Sequence, residues 1–151
     1  MPHPTDVPPS ALLPRLAQEL ETRKVVKPPE WAAFARTGVH SVNAPYQQGW
    51  WYLRSASVLR KLYVRGARGV TRLSSEYGGS RDRGSAPYHA RSGSRSIVRE
   101  IFQQLEGAGL VRKQKSGGRA LTPDGHRLLD QLAKEILKGL AAKDTQLAKY
   151  L

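Results

Sequence analysis

Residues 94–123 of this 151-residue chain read SRSIVREIFQQLEGAGLVRKQKSGGRALTP, and this stretch decides the fold. It begins with a predicted helix that runs from Ser94 or Ser96 to about Ala108, because either serine is a good N-cap. Gly109 follows at the position where a C-terminal glycine ends a helix. Apolar residues recur at the spacing of one helix face: Val98, Ile101, Phe102 and Leu105. The pattern predicts an amphipathic helix that packs on a core.

A predicted β-hairpin and a second helix complete the stretch. Residues 110–113 and 119–121 flank Ser116-Gly117-Gly118, which is typical of two strands joined by a glycine turn. Thr122 then caps a helix that has Pro123 at its first position. The order helix, strand, turn, strand, helix is that of a winged-helix unit, with the hairpin as the wing. We therefore predict a mainly α fold with a small β-hairpin, a winged-helix-like bundle of about five helices.

Three further helices are predicted before this unit. The first ends at about Thr22 and contains Pro14, which should kink it or delay its start, and the second is short, from Pro29 to near Gly38. The third runs from about Trp50 to Val64, and its predicted core stripe is Tyr52, Ala56, Leu59, Leu62 and Tyr63. We predict a disordered tail over residues 1–7, a single winged-helix-like domain over 8–145 and a frayed C-terminus over 146–151.

The segment 66–95 is predicted to be a basic loop rich in glycine and arginine. Within it, Val70, Arg72 and Ser74 alternate with their neighbours, which favours a short strand. Residues 78–95 combine glycine, arginine and serine, which predicts a long exposed loop or an element that orders only on its partner.

Charge is the strongest functional signal in the sequence. The chain has 25 Lys and Arg against 12 Asp and Glu, a net charge of +13. Between residues 54 and 99 only Glu76 and Asp82 are acidic, whereas these residues are basic: Arg54, Arg60, Lys61, Arg65, Arg68, Arg72, Arg81, Arg83, Arg91, Arg95 and Arg99. Guanidinium groups pair bidentately with phosphate, so the arginine bias favours contact with a polyanion over a merely solvated face.

The sequence offers no apparatus for catalysis or metal binding. It has no cysteine, its four histidines form no metal-ligating pattern, and no nucleophile or nucleotide-binding motif occurs. We therefore expect no enzyme activity, no catalytic residue, no metal and no cofactor. No apolar segment is long enough to span a bilayer, so we expect no membrane partner.

The sequence leaves a second class of function open and disfavours a third. A winged-helix DNA-binding transcriptional regulator would place Arg95 and Arg99 near the start of its reading helix, and it predicts a dimer with a preferred duplex sequence. A protein of the membrane surface is disfavoured because no aromatic-rich face accompanies a basic helix.

Several strings resemble the S19e family of small-subunit ribosomal proteins of archaea and eukaryotes, from about Pro29 to Ala133. These strings are Pro29-Glu30-Trp31, Ala44-Pro45-Tyr46, Trp50-Trp51-Tyr52-Leu53-Arg54-Ser55-Ala56-Ser57, Leu62-Tyr63-Val64-Arg65-Gly66, Tyr77-Gly78-Gly79 and Gly117-Gly118-Arg119-Ala120-Leu121-Thr122. The resemblance implies a ribosome-associated cytoplasmic protein in the head of the small subunit. It implies contact with small-subunit ribosomal RNA and its precursor, and with other small-subunit proteins, by a chain that is monomeric when free.

The expected RNA-binding residues come from the resemblance and from the charge pattern together. The resemblance implies that Trp50, Arg54, Ser57, Arg60 and the segment from Tyr77 to Arg95 face RNA. The full predicted set is Trp50, Arg54, Ser57, Arg60, Lys61, Arg65, Arg68, Arg72, Tyr77, Gly78, Gly79, Arg81, Arg83, His89, Arg91, Arg95 and Arg99. Arg54 and Arg60 do not share a helical face, so one of them is expected to have a structural partner instead.

Overall fold

The computed structural model describes residues 3–115 and 117–142. In chain order, the helices and strands are α1 (Pro9–Thr22), a 3-10 helix (Glu30–Ala33), α2 (Trp50–Arg65), α3 (Val70–Glu76), β1 (Gly79–Arg83), β2 (Ala86–Arg91), α4 (Arg95–Gly107), β3 (Val111–Lys113), β4 (Arg119–Leu121) and α5 (Pro123–Ala141). The strands form two separate antiparallel hairpins, β1–β2 and β3–β4. The predicted mainly α, winged-helix-like fold is confirmed, with a second hairpin that was not predicted.

The unit from α4 to α5 forms as the sequence indicates. Ser94 caps α4, where its hydroxyl accepts from the backbone N–H of Ile97, and Gly109 has a positive φ of 73° after the helix ends. The wing pairs Val111 with Leu121. The Thr122 hydroxyl caps α5 and also donates to the carbonyl of Gly109 at 2.7 Å, which ties the two helix ends together.

The core lies between α1, α2, α4, α5 and the wing, and it is apolar. Its largest fully buried side chains include Trp51, Phe102, Leu59, Leu105 and Leu129. The predicted stripe of α2 is wrong at both ends, because Tyr52 and Tyr63 are only half-buried while Trp51 and Val58 are fully buried.

The predicted disordered tail does not describe residues 3–7. Val7 is 1% exposed in the core, and the ring Nδ1 of His3 lies 2.9 Å from the Tyr63 hydroxyl. α1 begins at Pro9, so Pro14 lies inside the helix and does not delay its start. The predicted fraying of residues 146–151 lies outside the described residues.

Three local predictions between residues 29 and 95 are wrong. The second helix is a single 3-10 turn, Glu30–Ala33, and does not continue to Gly38. The predicted strand at residues 70–74 is the helix α3, in which Leu73 and Ser74 are buried. The predicted loop at 78–95 contains the hairpin β1–β2, so the segment 66–95 is not one loop. In the described part of the chain, none of the helices has the length and apolar character needed to cross a bilayer.

The Tyr63 hydroxyl links α2 to α5 and to the N-terminal segment, and this predicts a pH-dependent stability. Burial, together with a 2.9 Å hydrogen bond to the Asp130 carboxylate, raises the pKa of the Tyr63 phenol to about 12. The protonated phenol is favoured in the folded state, so its stabilisation is complete below pH 10 and is lost as the pH rises to about 12.

We therefore expect Tyr63→Phe to lower the free energy of unfolding at pH 8, with a difference from the wild type that shrinks as the pH approaches 12. Urea denaturation at pH 8 and at pH 11.5 measures this difference. An equal difference at both pH values would mean that the Tyr63 proton is not the origin of the stabilisation.

Candidate nucleic-acid interface

Tyr77, just after α3, organises the basic face of α2. Its ring centroid lies 4.1 Å from the guanidinium carbon of Arg54 and 4.1 Å from the ammonium nitrogen of Lys61. Its hydroxyl donates to the Ser57 hydroxyl oxygen at 2.8 Å, and burial raises its pKa. Four predicted site residues are therefore in direct contact, and Tyr77 supports the two cations through cation–π attraction.

Glu76 neutralises two of the predicted RNA-binding cations. Its carboxylate lies 2.9 Å from the Lys61 ammonium and 3.0 Å from the Arg65 guanidinium. Burial alone would raise the pKa of Glu76, but hydrogen bonds and charge from Lys61 and Arg65 lower it overall. Both cations have a partner within the chain, which weakens the prediction that they serve RNA.

The base of the hairpin β1–β2 is a close crossing of backbones. A Cβ atom on Gly78 would collide with the carbonyl oxygen of Arg91, and one on Gly93 would lie 2.8 Å from the carbonyl oxygen of Tyr77. Gly78 was predicted among the RNA-binding residues, and in the structure it serves the packing of this crossing. This crossing fixes where the hairpin leaves the domain.

The hairpin presents its cations to solvent. Its strands are exposed except at the first residue of each, and the turn at residues 84–85 has Gly84 at a positive φ of 68°. Arg81 pairs with His89, and Gly79 pairs with Arg91. Since paired residues point to the same face and side chains alternate along a strand, Arg81, His89 and Arg91 share one face of the hairpin.

Seven arginines on α2, α3, the hairpin β1–β2 and α4 have no acidic partner among the described residues. We call them the basic surface, and they are Arg54, Arg72, Arg81, Arg83, Arg91, Arg95 and Arg99. Within residues 3–115 and 117–142, none of them lies within 4.0 Å of a carboxylate oxygen. All are exposed except Arg54, which is half-buried and whose pKa is lowered by burial although Tyr77 opposes the shift. An external anion is therefore the natural partner of these charges.

Two other predicted arginines, Arg60 and Arg68, differ from these because part of each guanidinium is buried. The backbone of Arg68 exchanges hydrogen bonds of 2.9 and 3.0 Å with Arg119 of the wing. The Nε atoms of Arg60 and Arg68 are buried and have no hydrogen-bond partner among the described residues. Both side chains are half-buried, as that of Arg54 is, and both stay predicted RNA-binding residues.

Two groups of residues whose side chains are suited to contact with nucleic acid were not predicted from the sequence. Arg112, Lys113 and Lys115 on the wing are exposed, and none forms an ion pair within the described chain. Tyr46 and Gln47 line a cleft beside Arg54. The charge of the wing was visible in the sequence, but nothing in the pattern showed that residues 46 and 47 approach α2.

The fold and the basic surface define a basic protein of the winged-helix class, and known proteins give its family. The sequence model described as ribosomal protein S19e matches residues 3–139. The small ribosomal subunit protein eS19 of Thermoplasma volcanium is 50% identical over 145 residues, which cover 96% of each chain. The protein of the same name from Aeropyrum pernix is 45% identical over 148 residues, 97% of each chain. The chain belongs to the ribosomal protein S19e family, and it is a ribosome-associated protein of the cytoplasm.

Proposed function

We propose that the chain is a structural component of the small ribosomal subunit that binds the subunit's RNA through the basic surface. The observation that carries the proposal is a set of seven exposed or half-exposed arginines, from Arg54 to Arg99, that lack a carboxylate partner within residues 3–115 and 117–142. Positive side chains that contact a polyanion gain free energy because counterions bound to the polyanion are released. The relatives named small ribosomal subunit protein eS19 point to the RNA of that subunit.

We infer the remaining details from the same surface and from the family. The chain lies in the head of the subunit, contacts neighbouring small-subunit proteins, and binds the precursor RNA during maturation. It acts by binding and not by catalysis, and it is monomeric when free. A DNA-binding regulator is no longer favoured, because the chain belongs to a ribosomal protein family and the arginines that lack a partner among the described residues extend well beyond α4.

Binding of Arg54→Gln to protein-free small-subunit RNA, measured across a salt series, tests the proposal. Arg54 has no carboxylate partner in the described part of the chain, so its loss should weaken binding and flatten the plot of log K against log salt by about 0.7 to 0.9. Arg15→Gln is the matched control, because it removes the same charge from an arginine that lies 3.6 Å from Glu135 on α5.

The control should leave both the affinity and the salt slope close to those of the wild type. Unfolding curves for both variants verify that the folded state is intact. If Arg54→Gln and Arg15→Gln had the same RNA affinity and the same salt slope, net charge alone would govern binding and Arg54 would not be a contact residue.

A further inference from the structure

A second feature of the molecule is a cleft between the loop before α2 and the end of α3. It is open to solvent, has a volume of about 520 Å³, and includes Tyr46, Gln47, Trp50, Arg54, Ser57 and Tyr77 in its lining. This volume lies within the range of about 300–1,000 Å³ that is typical of small-ligand sites. The cleft therefore has room for a planar group the size of a nucleobase.

The cleft exposes aromatic surface that nothing in the described chain covers. The Tyr46 side chain is 89% exposed, and its hydroxyl is held by the Asn43 amide at 2.9 Å. Trp50 is half-buried, with its ring edge-on to Trp51 at a centroid distance of 5.3 Å. An exposed ring whose position is held by a hydrogen bond is a suitable platform for stacking.

Polar groups and one cation stand beside these rings. The Gln47 side-chain amide has no hydrogen-bond partner among the described residues, so it is free to bond the edge of a base. The Ser57 hydroxyl accepts from Tyr77 and keeps its own hydrogen for donation. The Arg54 guanidinium forms one wall and has no carboxylate partner in the part of the chain that the structure describes.

Charge complementarity favours a nucleotide over a peptide as the occupant. Aromatic rings and Pro45 would also suit a proline-rich peptide, but the residues that line the cleft include no acid. The nearest carboxylate along the chain, that of Glu76, is already paired with Lys61 and Arg65. An anionic ligand with a flat, apolar face matches the cleft better than an extended neutral chain.

The geometry points to a site for one unpaired nucleobase of RNA, stacked on Tyr46 and facing Trp50. The Gln47 amide and the Ser57 hydroxyl lie where they can bond the edge of the base, and Arg54 pairs with the adjoining phosphate. This inference rests on the proposed function and adds to it, because contact with an unstacked base is distinct from contact with phosphate along a helix.

Binding of two short oligonucleotides tests the site directly. One probe is oligouridylate, and the other has the same length and the same phosphates but lacks every base. We expect the full-length protein to bind oligouridylate about tenfold more tightly, since stacking of a base on an aromatic side chain is worth roughly five- to a hundredfold in affinity. Tyr46→Ala should abolish this preference, and Tyr46→Phe should keep it.

Phe34→Ala is the matched control, because Phe34 is 85% exposed and does not line the cleft. It should leave the preference unchanged. Equal affinity of the wild type for both probes, or equal weakening of both by Tyr46→Ala, would overturn the base site. Binding of a proline-rich peptide that requires Tyr46 and does not compete with oligouridylate would also overturn it. If the base site alone is wrong, Arg54→Gln still alters the salt slope on small-subunit RNA, whereas failure of the proposed function removes that effect too.

Discussion

Replacing Arg81, Arg83 and Arg91 together with glutamine should weaken binding to small-subunit RNA on the order of a hundredfold at 0.15 M salt. The three side chains are exposed on the hairpin β1–β2 and have no carboxylate partner among the described residues. If each contacts one phosphate, the slope of log K against log salt should become shallower by about two to three units. Filter binding across a salt series measures both quantities.

The matched control removes the same charge from three paired arginines. Arg15, Arg23 and Arg127 lie 3.6, 2.6 and 3.4 Å from the carboxylates of Glu135, Glu19 and Asp124. Their triple replacement by glutamine should change binding only slightly, because these charges are already partnered. A loss as large as that of the hairpin variant would show that net charge, and not the position of the arginines, determines affinity.

Gly78→Ala should destabilise the protein by about 3 kcal/mol, the second large effect that we expect. A Cβ atom on Gly78 would collide with the carbonyl oxygen of Arg91, and backbone atoms cannot yield as a flexible side chain can. The hairpin must move away from α3, so RNA affinity should fall together with stability. Chemical denaturation measures the stability, and RNA binding at low temperature, where the variant is still folded, measures the affinity.

Gly107→Ala provides the comparison for this substitution. Gly107 is the last residue of α4, is exposed, and has open space where a Cβ atom would lie. Alanine should stabilise the helix there by up to about 1 kcal/mol. A Gly78→Ala protein as stable as Gly107→Ala would contradict the close crossing at the base of the hairpin.

Long periodic segments were predictable from the sequence. The helix α4 repeats its apolar residues from Ile97 to Leu105, and Ser94 and Gly109 mark its two ends. Thr122 and Pro123 fix the start of α5 in the same way. In these segments local propensity, capping and burial all favour one structure, so the bounds of α4, the wing and α5 agree closely with the sequence.

Short segments were ambiguous, because a pattern of only seven residues can fit both the period of a strand and the period of a helix. Val70, Arg72 and Ser74 alternate as in a strand, but Val70, Leu73 and Tyr77 also share one helix face. Packing of Leu73 in the core decides for the helix. The hairpin β1–β2 had no apolar alternation to reveal it, since both of its faces are exposed and its pairing depends on backbone hydrogen bonds.

The predicted site was based on charge, and it could not include the contacts that form where distant segments meet. The arginine-rich segment could be identified from composition, yet the pairing of Glu76 with Lys61 and Arg65 required the fold of α3 against α2. Tyr46 lies in a loop of no regular structure, so no periodicity could place it beside Arg54. The contacts of Tyr77 with Arg54 and Lys61 likewise join residues 16 to 23 positions apart in the chain.

The most direct test of the basic surface is the reactivity of individual arginines, free and in complex with protein-free small-subunit RNA. Modification by phenylglyoxal, read by mass spectrometry, reports each guanidinium separately. We predict that RNA protects Arg72, Arg81, Arg83, Arg91, Arg95 and Arg99, while Arg15 and Arg127 react as they do in the free protein. Protection of Arg15 and Arg127, with the hairpin arginines still reactive, would contradict the account.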